Sequence, residues 1–184
     1  MRALALCLSL FALPVMAAPW QLVTDRSSIE VDVGWVRNTV LTIRFPQLSG
    51  DVVFDETDLS DASANITVPT APLDTGLGFL NVLVRSSEFL DVGTHPQITF
   101  ALTSITQTSK STADIAGDIT LLGVTLPITF AADVFRFSRA GDGRFEAGFD
   151  LEGELDRREF GNSTGYPDIA AELPIRIRLF LKEM

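Results

Sequence analysis

The stretch Phe145-Glu146-Ala147-Gly148-Phe149-Asp150-Leu151-Glu152-Gly153-Glu154-Leu155-Asp156 decides the fold. Phe145, Ala147, Phe149, Leu151, Gly153 and Leu155 occupy every second position, while Glu146, Asp150, Glu152, Glu154 and Asp156 occupy positions between them. Successive side chains of a strand point to opposite faces, so a period of two predicts one buried and one solvated face. A helix would scatter both sets around its axis. Just upstream, Gly141-Asp142-Gly143 predicts a hairpin turn, because glycine accepts the positive φ that such turns require. Downstream, Leu173, Ile175, Ile177, Leu179 and Leu181 alternate with Glu172, Arg176, Arg178 and Lys182. Were the two strands neighbours, an acidic ladder would face a basic one, and opposite-charge cross-strand pairs give roughly 0.2–1 kcal/mol each. Such a ladder sets register on a solvated face.

The same alternation spreads through the chain. Ile29, Val31, Val33 and Trp35 oppose Ser28, Glu30, Asp32 and Gly34, and further strands are predicted at Val40 to Phe45, Val52 to Phe54 and Asn65 to Val68. Ile98, Phe100 and Leu102, then Ile115, Gly117, Ile119 and Leu121, then Ile128, Phe130, Ala132 and Val134 continue the pattern. Short strands with turn signals between them specify an antiparallel sandwich or barrel. One segment departs from it: Asp74-Thr75 predicts a cap for a helix over Gly76 to Val84, with Leu77, Leu80 and Val84 at helical spacing and Phe79 and Leu83 widening the apolar side. The Arg157 to Ala171 loop is expected to cover one end. Neither an internal repeat nor a linker interrupts the chain, which predicts one domain.

The sequence has 184 residues, 46% of them apolar, with 14 Lys+Arg against 24 Asp+Glu and a formal charge of -10. A mean hydropathy of +0.27 and a pI near 4.4 exclude intrinsic disorder and make nucleic acid a poor partner, since phosphate neutralisation needs a basic surface. Met1-Arg2, the apolar run Ala3 to Val15 and Val15-Met16-Ala17 read as a cleaved signal peptide over 1–17, leaving a domain over 18–184. The apolar run is too short for a membrane span of ~20 residues. Cleavage removes Cys7, the one cysteine, and leaves a chain suited to an oxidising periplasm.

The residues give catalysis little support. No G-x-S-x-G, H-E-x-x-H or Gly-rich phosphate loop is present. His95 precedes Pro96 in a turn without a nucleophile motif, and Asp55-Glu56-Thr57-Asp58 with Asp61 lacks the glycine and terminal glutamate of a calcium loop. The expectation is a protein that is not an enzyme and holds no metal.

Several strings, in order along the chain, resemble those of the YceI-like family. They are Asp74-Thr75, Arg85-Ser86-Ser87-Glu88-Phe89-Leu90-Asp91-Val92, His95-Pro96-Gln97-Ile98-Thr99-Phe100, the run Gly117 to Ile128, and Asp156-Arg157-Arg158-Glu159-Phe160-Gly161. The resemblance implies a lipocalin-like, extended eight-stranded antiparallel β-barrel with a short helical segment. It further implies periplasmic residence and a polyprenyl or polyprenyl-quinone chain held in an apolar tunnel, with no cofactor besides such a bound polyisoprenoid or isoprenoid quinone. This chain departs from the family where Phe79, Leu80, Asn81, Val82 and Leu83 replace a charged helical run, Trp35 a histidine and Arg37 a glycine.

Candidate ligand contacts are therefore Trp35, Arg37, Phe45, Phe79, Leu80, Leu83, Arg85, Phe89, Phe100, Phe130 and Phe149. Arg37 is placed at a pocket mouth and Arg85 after the helix, either able to meet a head group. Each ring is equally explained as ordinary barrel core, and the residues leave both options open. The partner expected first is an isoprenoid lipid. The alternative is a ligand-free interaction module that docks a protein or a membrane through the apolar helix. Transient membrane contact and a homodimer stay open, as do chain length, head group and whether the barrel is full or hollow.

Overall fold

The computed structural model describes residues 18–36 and 39–184, so the expected signal peptide and Arg37 lie outside the described residues. Ten strands run β1 (Ala18–Leu22), β2 (Ser28–Trp35), β3 (Thr39–Phe45), β4 (Ser49–Asp55), β5 (Asp58–Pro69), β6 (Gln97–Gln107), β7 (Thr112–Leu121), β8 (Val124–Arg139), β9 (Phe145–Asp156) and β10 (Glu172–Glu183). One helix, α1 (Gly78–Arg85), lies between β5 and β6. Every pairing is antiparallel, and the order β1-β4-β5-β6-β7-β8-β9-β10 returns to β1, closing an eight-stranded barrel as expected.

Closure depends on β10. One edge pairs with β9 from Glu172 to Lys182, while the other pairs first with β2 at Ile175–Arg178 and then with β1 at Leu181–Glu183. β1 and β2 thus act as two halves of a broken strand. The break is pinned where Phe180 accepts from the Val23 N–H at 2.8 Å and donates its own N–H to Ser27 Oγ at 3.0 Å. β3 continues as a hairpin arm beside β2. Alternation does not mark β1, which follows the expected cleavage point; its buried Trp20 is the residue that anchors it.

The β9–β10 register confirms the two faces. Phe149 pairs with Leu179 and Leu151 with Ile177 on the inside, while Asp150 pairs with Arg178 and Glu152 with Arg176 outside. Direct ion pairing across the ladder is confined to Arg178, which meets Asp150 at 2.7 Å. Arg176 turns the other way, to Asp32 at 2.6 Å and Glu30 at 3.4 Å on β2, and Lys182 reaches Asp142 in the hairpin turn at 2.9 Å. The basic residues of β10 therefore tie three neighbouring elements together. Arg178 hydrogen bonds hold the Asp150 carboxyl below its ordinary value, and those of Arg44 do the same for Glu30. Burial pushes Asp32 up, but hydrogen bonds from Thr42 and Arg176 outweigh it, with a net downward shift.

The helix begins later than its cap signal predicts. The Asp74 backbone exchanges hydrogen bonds with Arg44 of β3 at 2.8 and 2.9 Å, so it is held in a bridge. The chain turns at Gly76 before α1 starts at Gly78, and Asp74 Oδ1 accepts from the Gly76 N–H and from Asn81 Nδ2. Only Leu80 and Val84 of α1 are buried; Leu77 points outward, contrary to the expected stripe.

The 157–171 loop covers one end as expected, latched by the buried Arg157. This guanidinium donates to Ala170 O, Ile169 O and Asn162 Oδ1 at 2.8–2.9 Å, and Asn162 Nδ2 donates to Phe89 O at 2.7 Å. At the opposite end Trp20 stacks on Phe54 with centroids 4.5 Å apart, Phe54 meets Phe149 edge-on, and Phe137 stacks on Phe145 at 5.1 Å.

Two measurements check these contacts. Arg157→Met leaves buried carbonyls without donors, and should cost about 2–3 kcal/mol in chemical denaturation. Carboxylates with depressed folded pKa values stabilise the fold above their unfolded pKa and cease to as pH falls through the folded value. Stability should thus be level above about pH 5 and decline below about pH 4. Arg176→Met should shallow that decline and, because the pairs are half solvated, cost only about 0.5–1 kcal/mol at neutral pH.

Candidate ligand-binding cavity

The barrel is hollow. A cavity of about 540 Å³ runs through it, within the range of roughly 300–1,000 Å³ typical of small-molecule sites. Its wall is drawn from β2 to β10 and is almost wholly aliphatic and aromatic; Glu56 and Lys110 are the charged residues on it. An eight-stranded barrel is narrow enough for its own side chains to fill, so the void needs a physical cause.

Glycines in the wall provide one. Gly117 and Gly153 fall on inward positions of β7 and β9, and the Phe100 and Phe130 rings lie directly over them. A Cβ at Gly153 would stand 2.6 Å from Phe130 Cδ1, a separation no real carbon pair tolerates. Each ring uses the missing side chain as a recess, and the two meet edge to face with centroids 5.9 Å apart. Inward aliphatics such as Ile66, Ile98, Leu102, Ile115 and Leu179 stay only partly buried because part of their surface faces the lumen.

Apart from Thr99, the polar residues of the lining are concentrated at one place. Glu56, Ser63, Gln107, Lys110, Ser111 and Thr112 come from the β4–β5 turn, the start of β5 and the β6–β7 hairpin. The deep wall, formed by Leu90, Ile119, Leu121, Leu155, Leu173 and Ile175, is apolar. A bound water needs two to four polar partners, and that depth offers almost none. The arrangement suits an amphiphile with its tail inside and its polar head at the hairpins.

The sequence candidates separate accordingly. Phe45, Phe100, Phe130 and Phe149 are on the cavity wall. Trp35, Phe79, Leu80, Leu83, Arg85 and Phe89 are not among the lining residues, and Arg37 lies outside the described residues. Phe79 and Leu83 point outward from α1, with Phe79 71% exposed, whereas Leu80 is buried beneath the helix. Arg85 donates from Nη2 to Leu73 O at 2.8 Å, holding the helix to the preceding segment. Leu90, the neighbour of Phe89, is the residue that reaches the lumen. The aliphatic lining missed as contacts, including Val31, Ile98, Ile177 and Leu179, was marked by the alternation itself. Among the described residues no group of three or more His, Cys, Asp or Glu side chains is placed to hold a metal ion.

A family profile described as YceI-like domain matches residues 20–181. A UPF0312 protein of Vibrio parahaemolyticus is 31% identical over 166 residues, which cover 86% of this chain and 88% of the relative. Protein YceI of Salmonella arizonae is 33% identical over 133 residues, covering 72% and 69%. Among solved structures, BcnA of Burkholderia cenocepacia superposes with a TM-score of 0.77 at 23% identity, over 87% of this chain and 99% of that one. A polyisoprenoid binding domain from Saccharophagus degradans gives 0.68 at 15% identity, over 90% and 98%.

If the glycine recesses keep the lumen open, Gly153→Val should force the Phe130 ring inward. Affinity for an apolar fluorescent probe should fall at least tenfold, equivalent to about 1.4 kcal/mol. The β-sheet circular dichroism should persist, and Phe79→Ser, on the outer helix face, should leave probe binding unchanged.

Proposed function

This chain belongs to the YceI-like family, and from that premise we propose that it is a periplasmic carrier that holds an isoprenoid lipid in its barrel. The observation that carries the proposal is the hollow apolar lumen with polar groups at one end. Burial of a hydrocarbon tail there contributes roughly 25 cal/mol per Å² of apolar surface, with no covalent step. A binding role fits a wall whose charged side chains, Glu56 and Lys110, both stand at the solvated end. Polyisoprenoid binding is the described property of the Saccharophagus domain, and it is extended to this chain as part of the proposal.

The head group is argued from charge. A phosphate or pyrophosphate head calls for clustered cations or a helix N-terminus. Here one lysine is offset by Glu56, and Asp55, Asp58 and Asp61 follow in and after the β4–β5 turn. That favours an uncharged polar head, and hence a polyprenyl quinone over a polyprenyl phosphate. Export by removal of residues 1–17 would place the domain, residues 18–184, beside membranes that hold such lipids.

A second proposal, a docking module acting through α1, draws on the exposure of Phe79 and Val82, at 71% and 69%. It has no need of a hollow barrel, which is why the carrier comes first. Its probe is Phe79→Asp rather than a change at the buried Leu80.

Protein purified from cells and released into native mass spectrometry should carry a co-purifying isoprenoid. Stripped protein should bind an octaprenyl benzoquinone at least tenfold more tightly than the corresponding prenyl phosphate. Absence of both a co-purifying lipid and quinone binding would refute the carrier.

A further inference from the structure

We infer that the ligand enters and leaves through a portal between β5 and β6 that opens at the hairpin end of the barrel. The inference rests on the carrier proposal and adds the route. The β5–β6 ladder pairs Asn65–Pro69 with Gln97–Ala101 and then stops, although β5 begins at Asp58 and β6 runs on to Gln107. Over the unmatched length β5 stays paired with β4 on its other side, and β6 with β7. Two free strand edges therefore face each other across an opening in the wall.

The cavity reaches this opening. Leu59, Ala62 and Ser63 on one side, and Leu102, Ile105 and Gln107 on the other, belong to its lining. The reason the strands part is local. The β6–β7 register shifts between Leu102 and Ser104, at the point where pairing with β5 ends. A bulge bends its strand and increases the twist, which turns the rest of β6 away from β5. Free edges normally invite pairing with another chain, and charge at the edge opposes it. Asp58 and Asp61 provide that charge on β5.

The opposite end offers no equivalent path, because the loop latched by Arg157 and Asn162 covers it. The portal also lies beside Lys110 and Ser111, so a lipid could slide its tail inward and leave its head among the polar hairpin residues. Ser63 and Ser104 are small, polar and exposed on its two flanks.

The test bridges the gap. Cysteines at Ser63→Cys and Ser104→Cys, both exposed, are joined by a cleavable bis-maleimide in protein otherwise free of cysteine after residue 7. A matched pair, Asp114→Cys and Ala131→Cys, bridges β7 and β8 where they are already paired. Uptake of octaprenyl benzoquinone from phosphatidylcholine vesicles is then timed. The β5–β6 bridge should slow loading at least tenfold, with the rate restored on cleavage, while the β7–β8 bridge leaves it unchanged. Equal loading with and without the β5–β6 bridge would overturn the portal, as would equal slowing by both bridges. Failure of the unbridged protein to load at all would instead overturn the carrier proposal, and the portal with it.

Discussion

The close approach of two phenylalanine rings to bare backbone is what the rest of the molecule depends on. Phe100 lies over Gly117 and Phe130 over Gly153, so the largest inward side chains of this region lie against the wall. Well-packed interiors leave few voids larger than a water molecule, and an apolar void forfeits dispersion contacts along its whole lining. A lumen of about 540 Å³ is therefore a cost to the empty protein. A ligand tail removes that cost by giving the lining atoms partners. The same rings that would stabilise a filled barrel are set aside in recesses, and that choice makes binding favourable.

A hollow barrel must take its stability from the wall. β10 carries much of that, because one edge is committed to β9 and the other is divided between β2 and β1. Its outward arginines extend the same logic, with Arg178 holding β9 and Arg176 holding β2. The two ends differ in chemistry. Stacked rings brace the hairpin end beside the polar mouth of the lumen, and at the other a buried guanidinium satisfies carbonyls that the irregular loop leaves without strand partners. Wall, ends and lumen thus have separate supports, and the gap between β5 and β6 can exist without unravelling the rest.

Much of this was legible in the sequence. The alternation through Phe149, Leu151, Ile177 and Leu179 identified the inner face, and the acidic and basic ladders were matched on the condition that β9 and β10 are neighbours, which the register meets. Strings such as Asp156 to Gly161 identified the family and the loop. Three features were not legible, each because it depends on distant contacts. β1 shows no alternation, since its place is fixed by Trp20 stacking on Phe54. The helix start was shifted because Asp74 bonds to Arg44, thirty residues away in sequence. Phe79 and Phe89 are aromatic but lie off the lumen, which is lined mainly by aliphatics. Gly117 and Gly153 were visible as inward glycines, but only the ring positions explain them.

The most direct measurement is a crystal structure of the protein taken from its own membranes without lipid stripping. Continuous elongated density should run between Phe45, Phe100, Phe130 and Phe149, with its thicker end beside Lys110. A lumen closed by inward rotation of the Phe100 and Phe130 rings, with no density between them, would contradict the account.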